Sequence, residues 1–100
     1  MNVRDNPEAS RFEILDGDER IGFVDYKLRP GTISFVHTET DPTRQGEGVA
    51  TVLIRGALTE ARMRGLDVLP FCPFVRGFIV EHRDFADLVP RDRWGAFGLE

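Results

Sequence analysis

The sequence predicts an α/β domain of the α+β kind, in which an antiparallel sheet precedes a helix and a last, parallel strand. Three apolar runs in the N-terminal part are separated by glycine-containing turns, which is typical of an antiparallel meander. Residues 48–64 carry apolar side chains at helical spacing. The short apolar run 66–69 follows this helix, and a strand–helix–strand crossover places its two strands in parallel.

The meander is predicted to contain three strands, at residues 11–16, 20–29 and 32–39. The turns between them fall at 16–18, where glycine stands between two aspartates, and at 29–31, where proline and glycine are adjacent.

The third strand ends in polar residues that bear on function. Period-two alternation predicts Ile33, Phe35 and His37 on one face of this strand and Val36 on the other. By the same spacing His37 and Glu39 share a face.

The main helix at 48–64 stops at Gly65, a residue typical of helix C-termini. Its predicted buried stripe consists of Ala50, Leu53, Ile54, Ala57, Leu58 and Ala61. A second, short helix is predicted at 74–82, and one further turn at 84–88 precedes Pro90.

One domain is predicted to span residues 1–100, with its core at about 10–90. The polar residues 1–9 are predicted to form an arm, and residues 91–100 a loosely held tail. The phenylalanines Phe23, Phe35, Phe71, Phe74 and Phe78 are expected to pack in the core rather than to form an aromatic ligand pocket.

The composition narrows the function classes. A net charge of −4 without a cluster of Lys and Arg argues against nucleic acid and anionic membranes as partners. No apolar run is long enough to span a bilayer, and the N-terminus lacks the apolar stretch of a secretory signal. Because Cys72 is the one cysteine, no intramolecular disulfide forms. We therefore expect a cytoplasmic protein. We also expect no metal site, because His37 and His82 lack metal-ligand spacing.

The loop before the main helix contains Gly46 and Gly48. The first N–H groups of a helix have no intrahelical partner and lie at the positive end of its dipole, so such a loop can bind a phosphate or pyrophosphate. A tight strand-to-helix turn is the structural alternative. The loop is not a Walker A motif, because no Lys-Ser/Thr pair follows, and the G-x-G-x-x-G of a Rossmann fold is absent.

Gln45-x-x-Gly48-x-Ala50 fits the Q/R-x-x-G-x-G/A pattern of the GNAT superfamily of N-acetyltransferases. Together with the ordered segments below, it makes residues 10–90 resemble the small stand-alone N-acetyltransferase-like domains of that superfamily. These segments are Arg11-Phe12-Glu13, His37-Thr38-Glu39, Cys72-Pro73-Phe74-Val75 and Glu81-His82. The resemblance implies a minimal acyl-CoA N-acyltransferase fold that lacks the first helices and last strands of larger relatives.

By position, the resemblance implies a pyrophosphate loop and a pantetheine-binding strand end. The implied acetyl-CoA-binding residues are Thr38, Thr40, Gln45, Gly46, Glu47, Gly48, Val49, Ala50 and Thr51. Two departures from the family pattern are Gln45, where most members have arginine, and Glu47, whose carboxylate must point away from a phosphate. Arg44 is either a further phosphate contact or a solvated loop residue.

Three residues are candidates for the chemistry of acetyl transfer to an amine. Cys72 precedes a helix and is either an acetyl acceptor, a proton donor to the CoA thiolate or a buried structural thiol. His37 and Glu39 are candidates for the general base, with a sheet-face histidine and a solvated carboxylate as the alternatives. The tyrosine that serves larger relatives as a general acid is missing from the helix after the fourth strand.

We expect an acetyl-CoA-dependent N-acetyltransferase that acts on an amine of a small molecule or protein. The alternative is a CoA-binding regulatory or scaffold module with little catalysis, which the missing tyrosine favours. The acceptor groove of this fold is built by segments that the chain lacks, so its walls are expected to come from a partner or to be absent. The expected oligomeric state is a monomer or weak dimer.

Overall fold

A computed structural model describes all residues of the chain, 1–100. It contains one five-stranded sheet with the strand order β1-β2-β3-β4-β5. The strands are β1 (Asn2–Asn6), β2 (Arg11–Asp16), β3 (Glu19–Arg29), β4 (Thr32–Thr40) and β5 (Asp67–Pro70). Neighbours from β1 to β4 are antiparallel, whereas β5 is parallel to β4. The predicted fold class is confirmed, but the antiparallel part has one strand more than the predicted meander.

The additional strand β1 lies where an arm was predicted. It pairs with β2 along its whole length, from Asn2 opposite Leu15 to Asn6 opposite Arg11. Asp5 anchors it by accepting hydrogen bonds from the Tyr26 hydroxyl at 2.7 Å and from the Arg64 guanidinium at 2.9 Å. Burial and the bonded Asp5 carboxylate raise the pKa of Tyr26 to about 12. The prediction of an arm was wrong because backbone pairing and polar side chains hold β1 in the sheet. Neither of them produces an alternating apolar pattern in the sequence.

Two α-helices and four short 3₁₀ segments complete the fold. Helix α1 spans Val49–Met63 and α2 spans Pro73–Glu81. The 3₁₀ segments are Pro42–Arg44, Arg83–Leu88, Arg91–Arg93 and Gly95–Phe97. In α1 the predicted stripe is buried except at Ala50, which is half-buried, and Val49 is buried in addition.

The residues predicted as a loose tail are packed against the rest of the protein. Phe97 and Leu99 belong to the hydrophobic core, where Leu99 has no exposed surface. Arg83 donates a hydrogen bond to the Leu99 carbonyl at 2.6 Å, and the Trp94 indole N–H donates to the Val89 carbonyl at 2.9 Å. The tail was missed because short 3₁₀ turns bury isolated apolar residues without a helical period.

Both helices contribute to one core of 24 buried residues on the same side of the sheet. On the strands, the core residues include Phe12 and Ile14 of β2 and Val24 and Tyr26 of β3. Alternate residues point to the opposite side, which we call the open face. It carries Arg11 and Glu13 on β2 and Phe23, Asp25, Lys27 and Arg29 on β3.

Glu13 is a buried carboxylate on the open face, with 4% of its surface exposed. Its oxygens lie 3.3 Å from Arg4 and 3.6 Å from Arg20, and the Asn6 amide donates a hydrogen bond at 3.3 Å. Burial alone would raise the pKa of Glu13, but the hydrogen bonds and the two cations outweigh burial and lower this pKa. The network therefore stabilises the ionised carboxylate.

A β-bulge in β4 decides which side chains face the helices. Asp25 pairs with His37 and Tyr26 with Phe35, so Val36 is an extra residue without a partner on β3. The bulge reverses the alternation, which places Thr38 on the side of Phe35 and turns His37 towards the open face. The prediction that His37 shares a face with Ile33 and Phe35 was wrong for this reason.

Candidate functional site

The strands β4 and β5 separate after a short parallel ladder. Their last pair is Phe35 with Pro70, and the Phe35 carbonyl then accepts a hydrogen bond from the Cys72 N–H at 2.8 Å. The rest of β4 has a neighbouring strand only on the β3 side. A gap therefore opens beside the C-terminal half of β4.

The backbone of β4 offers polar groups to this gap. The Asp41 N–H donates to the Ile21 carbonyl of β3 at 2.8 Å. Because backbone groups alternate in direction along a strand, those of His37 and Glu39 face β3 as well, whereas those of Thr38 and Thr40 face the gap. Thr38 and Thr40 were both predicted as binding residues of the strand end.

The loop between β4 and α1 forms a groove of about 480 Å³. Its lining residues are Thr40, Arg44, Gln45, Gly46, Gly48, Val49, Ala50, Thr51 and Phe74. Gly46 and Gly48 both have positive φ, of 91° and 75°, and neither has an atom within 4 Å of the place where a Cβ would stand. The backbone is therefore open to a ligand at both positions.

The N-terminus of α1 faces this groove without a side-chain cap. The first intrahelical bond runs from the Val52 N–H to the Gly48 carbonyl at 3.0 Å. The N–H groups of Val49, Ala50 and Thr51 precede it and have no intrahelical partner. Such groups, together with the helix dipole, favour a bound anion.

The charged side chains of the loop are engaged with each other. Arg44 lies 2.6 Å from Asp16, 3.0 Å from Glu19 and 3.5 Å from Glu47. The hydrogen bond that Arg44 donates to the Asp16 carboxylate is the main cause that raises the pKa of the Arg44 guanidinium. Arg44 thus holds the Glu47 carboxylate, and Glu47 is absent from the groove lining. Arg44 is neither a free phosphate ligand nor simply solvated.

Phe74 is the residue of the groove that the sequence analysis missed. It was predicted to be a core residue, as was Phe71, but about half of each side chain is exposed, at 51% for Phe74 and 48% for Phe71. Phe74 is the first residue after Pro73 in α2 and points towards the glycine loop. The predicted core positions of Phe35 and Phe78 are correct, whereas that of Phe23 is wrong, because this side chain lies half-buried on the open face.

Cys72 lies on the helix side of the gap between β4 and β5. It is 4% exposed and directly precedes α2 as its N-cap residue. Its Sγ lies 3.3 Å from the Thr38 Oγ1, so a hydrogen bond joins the two side chains across the gap. The bulge at Val36 makes this contact possible, because it turns Thr38 towards the helices.

His37 and Glu39 lie on the open face and contact each other. The Nε2 of His37 is 2.9 Å from the Oε2 of Glu39, and both side chains are more than half exposed. The His37 ring also lies beside Phe23, with 6.2 Å between the ring centroids. The structure thus joins two of the three predicted catalytic residues and places Cys72 on the opposite face of β4.

No group of three or more His, Cys, Asp and Glu side chains is arranged to hold a metal ion. None of the helices combines the length and the apolar character that crossing a membrane requires.

Comparison with known protein families gives a match over most of the chain. A family model described as GCN5-related N-acetyl-transferase matches residues 11–88. The matched stretch extends from β2 to the 3₁₀ segment Arg83–Leu88 and includes the glycine loop, Cys72 and the gap. The search of curated proteins gives no significant match.

Proposed function

Since the chain belongs to the GCN5-related N-acetyltransferase family, we propose that it binds acetyl-CoA and transfers the acetyl group to an amine. One observation carries the proposal. The uncapped N-terminus of α1 and the free backbone groups of β4 meet at Thr40, which lines the loop groove and also faces the gap. A single extended ligand with an anionic part and an amide-bearing part would satisfy both.

In this proposal the pyrophosphate of CoA binds the N–H groups of Val49, Ala50 and Thr51. The pantetheine amides pair with the backbone of Thr38 and Thr40, as an added strand would. Phe74 offers an apolar surface beside the loop. Since Arg44 is occupied by carboxylates and Gln45 is neutral, the anion is bound chiefly by backbone N–H groups.

The chemistry requires a proton to leave the acceptor ammonium and a proton to reach the departing thiolate. The His37–Glu39 pair on the open face is the proposed general base that takes the first proton. The amine nitrogen then forms a bond to the thioester carbonyl carbon, and the carbon–sulfur bond breaks. Cys72, which contacts Thr38 on the helix side, is the proposed donor of the second proton.

A CoA-binding module without transfer is the second candidate function. The burial of Cys72, at 4% exposure, favours it, because a hydrogen-bonded buried thiol also serves as a packing residue. This candidate predicts CoA binding with no acetylated product.

The test combines binding and transfer measurements on Glu39→Gln and on a control, Glu81→Gln, which changes an exposed carboxylate at the end of α2. Calorimetry measures acetyl-CoA affinity, and mass spectrometry measures acetylation of a panel of amines. We expect Glu39→Gln to lower transfer by at least 100-fold, a general-base effect, with affinity within a few-fold of the parent and Glu81→Gln unchanged.

Three results would contradict the proposal or a part of it. Absence of acetyl-CoA binding by the parent protein overturns both candidate functions. Binding without transfer to any amine supports the non-catalytic module instead. Unchanged transfer in Glu39→Gln, with transfer by the parent, removes the general-base role from Glu39.

A further inference from the structure

A groove of about 630 Å³ crosses β3, β4 and β5 on the open face. Its volume is typical of small-molecule sites. Val36 and Phe71 form its apolar end, and Leu69, which pairs with Ser34, lines its middle. Val36 is the bulge residue of β4, and Phe71 directly precedes Cys72, so this end adjoins the point where β4 and β5 separate.

The other end of the groove is cationic. Lys27 stands opposite Ser34 and Arg29 opposite Thr32 in the β3–β4 register, and all four residues line the groove. Neither cation takes part in an ion pair, and no carboxylate is among the lining residues. Two carboxylates lie near the cations on this face: Asp67 is opposite Thr32, and Asp25 on β3 is paired with Arg11 at 3.1 Å, so neither bridges the two cations. Two unpaired cations beside hydroxyl groups favour an anion.

The two ends are separated by a defined length of strand. Four residue steps along β4, from Val36 to Thr32, correspond to about 13 Å. His37 follows Val36, and its pair with Glu39 lies on the same face. A molecule whose amine reaches the proposed base therefore extends its other end towards Lys27 and Arg29.

We infer that this groove holds the acceptor, and that the acceptor is a small amine with an anionic group at its far end. An apolar chain of about 10 Å between the two groups leaves about 3 Å of the strand distance for the contact between the anionic group and the cations. This inference rests on the proposed function and adds the substrate class to it. From the sequence, the walls of the acceptor groove were expected to be absent or to come from a partner. Under this inference, β3, β4 and β5 provide them.

A smaller cavity of about 270 Å³ gives the competing expectation. It lies at the other end of the open face, and Glu39 and Asp41 line it together with Arg20. The carboxylates of this cavity would favour an acceptor that carries a second cationic group over one that carries an anionic group.

The test uses three amines of equal chain length: 8-aminooctanoate, octylamine and 1,8-diaminooctane. Acetylation rates measure preference, and methyl NMR of Val36 and Leu69 measures occupancy of the groove without any need for transfer. We expect at least tenfold higher kcat/KM for 8-aminooctanoate than for the other two amines. Of the three amines, only 8-aminooctanoate should cause saturable shifts of both methyl signals.

The variant Lys27→Gln/Arg29→Gln should abolish both the preference and the shifts. The control Arg76→Gln/Arg91→Gln removes the same charge from the helical side of the protein and should leave both unchanged. Shifts without any acetylation would support the groove and contradict the proposed transferase function. Acetylation with no preference for 8-aminooctanoate, with preference for 1,8-diaminooctane, or with preference unaffected by the double variant would overturn the inference.

Discussion

The role of the α1 N-terminus in binding acetyl-CoA can be tested at Gly48 with two substitutions of the same shape. Gly48 is the N-cap residue and has φ of 75°, and a Cβ added there meets no atom within 4 Å. Gly48→Asn and Gly48→Asp both place a residue that tolerates the left-handed region at this position. The two variants differ only by one negative charge, so a comparison between them removes the backbone strain that they share.

The expected effects have opposite signs in the free and the bound protein. Without ligand, Gly48→Asp should be the more stable variant, by about 0.3–1 kcal/mol, because an anion suits the N-terminus of a helix. With acetyl-CoA, the aspartate opposes the pyrophosphate. At a separation of about 5 Å and an effective dielectric constant between about 20 and 80, each pair of charges costs about 1 to 3 kcal/mol. This corresponds to an affinity roughly five to more than one hundred times weaker than that of Gly48→Asn.

Thermal denaturation measures the first effect, and calorimetric titration with acetyl-CoA measures the second. Gly65 provides a matched control, since it has φ of 69°, equally open space and a position at the other end of α1. Gly65→Asn and Gly65→Asp should bind acetyl-CoA with equal affinity. Equal affinities of the two Gly48 variants, or an equal difference between the two Gly65 variants, would refute a phosphate site at the N-terminus of α1.

Three further predictions address the thiol, the buried carboxylate and the neutral side chain of the loop. Cys72→Ala should lower the rate of acetyl transfer at least tenfold, which corresponds to about 1.4 kcal/mol of transition-state stabilisation, while acetyl-CoA affinity stays within a few-fold of the parent. A loss of folding stability that matches the loss of activity would instead identify a structural thiol. Glu13→Gln should lower the free energy of unfolding at pH 7 by about 1–2 kcal/mol. This is near the contribution of hydrogen bonds to a charged group, and the loss is not larger because the exposed partners of Glu13 can rehydrate. The folded pKa of Glu13 is lowered, so this stabilisation is present above the unfolded pKa and is lost as the pH falls through the folded pKa. Urea unfolding should therefore show a smaller gap in acid than at pH 7, and a constant gap would contradict the role of the charge. Gln45→Ala should weaken acetyl-CoA binding by less than about 1 kcal/mol, and Gln45→Arg should strengthen it in low salt and less so in high salt; calorimetry at two salt concentrations decides, and no gain for Gln45→Arg in low salt would show that this side chain does not face the phosphates.

The elements that could be predicted from the sequence are those whose burial follows a period. The stripe of α1 is nearly continuous from Leu53 to Ala61, and its spacing identifies both the helix and its buried side. The parallel pairing of β5 with β4 follows from the handedness and length of the crossover. The open backbone of the glycine loop could also be expected from the sequence, because positive φ and the absence of a Cβ are properties of glycine itself.

The elements that were missed depend on contacts between distant residues. Strand β1 is fixed by Asp5, whose partners Tyr26 and Arg64 are far along the chain. The exposure of Phe74 depends on where α2 begins relative to the glycine loop. The bulge at Val36 leaves no local signal, because Phe35, Val36 and His37 are compatible with either alternation.

The bulge at Val36 also determines how the proposed chemistry is divided. It turns His37 and Glu39 to the open face and Thr38 to Cys72, so the proposed base and the buried thiol lie on opposite faces of one strand. Under the proposed function, a thioester held in the gap between β4 and β5 is approached by the amine from one face, while the departing sulfur faces the other. The proton removed from the amine and the proton given to the thiolate then travel through different groups. Because the two proton transfers are separated, the departing thiolate needs a proton donor only on the helix side of β4. Cys72 and Thr38 already form a hydrogen-bonded pair there, so the proposed reaction does not require the tyrosine that is missing from α2.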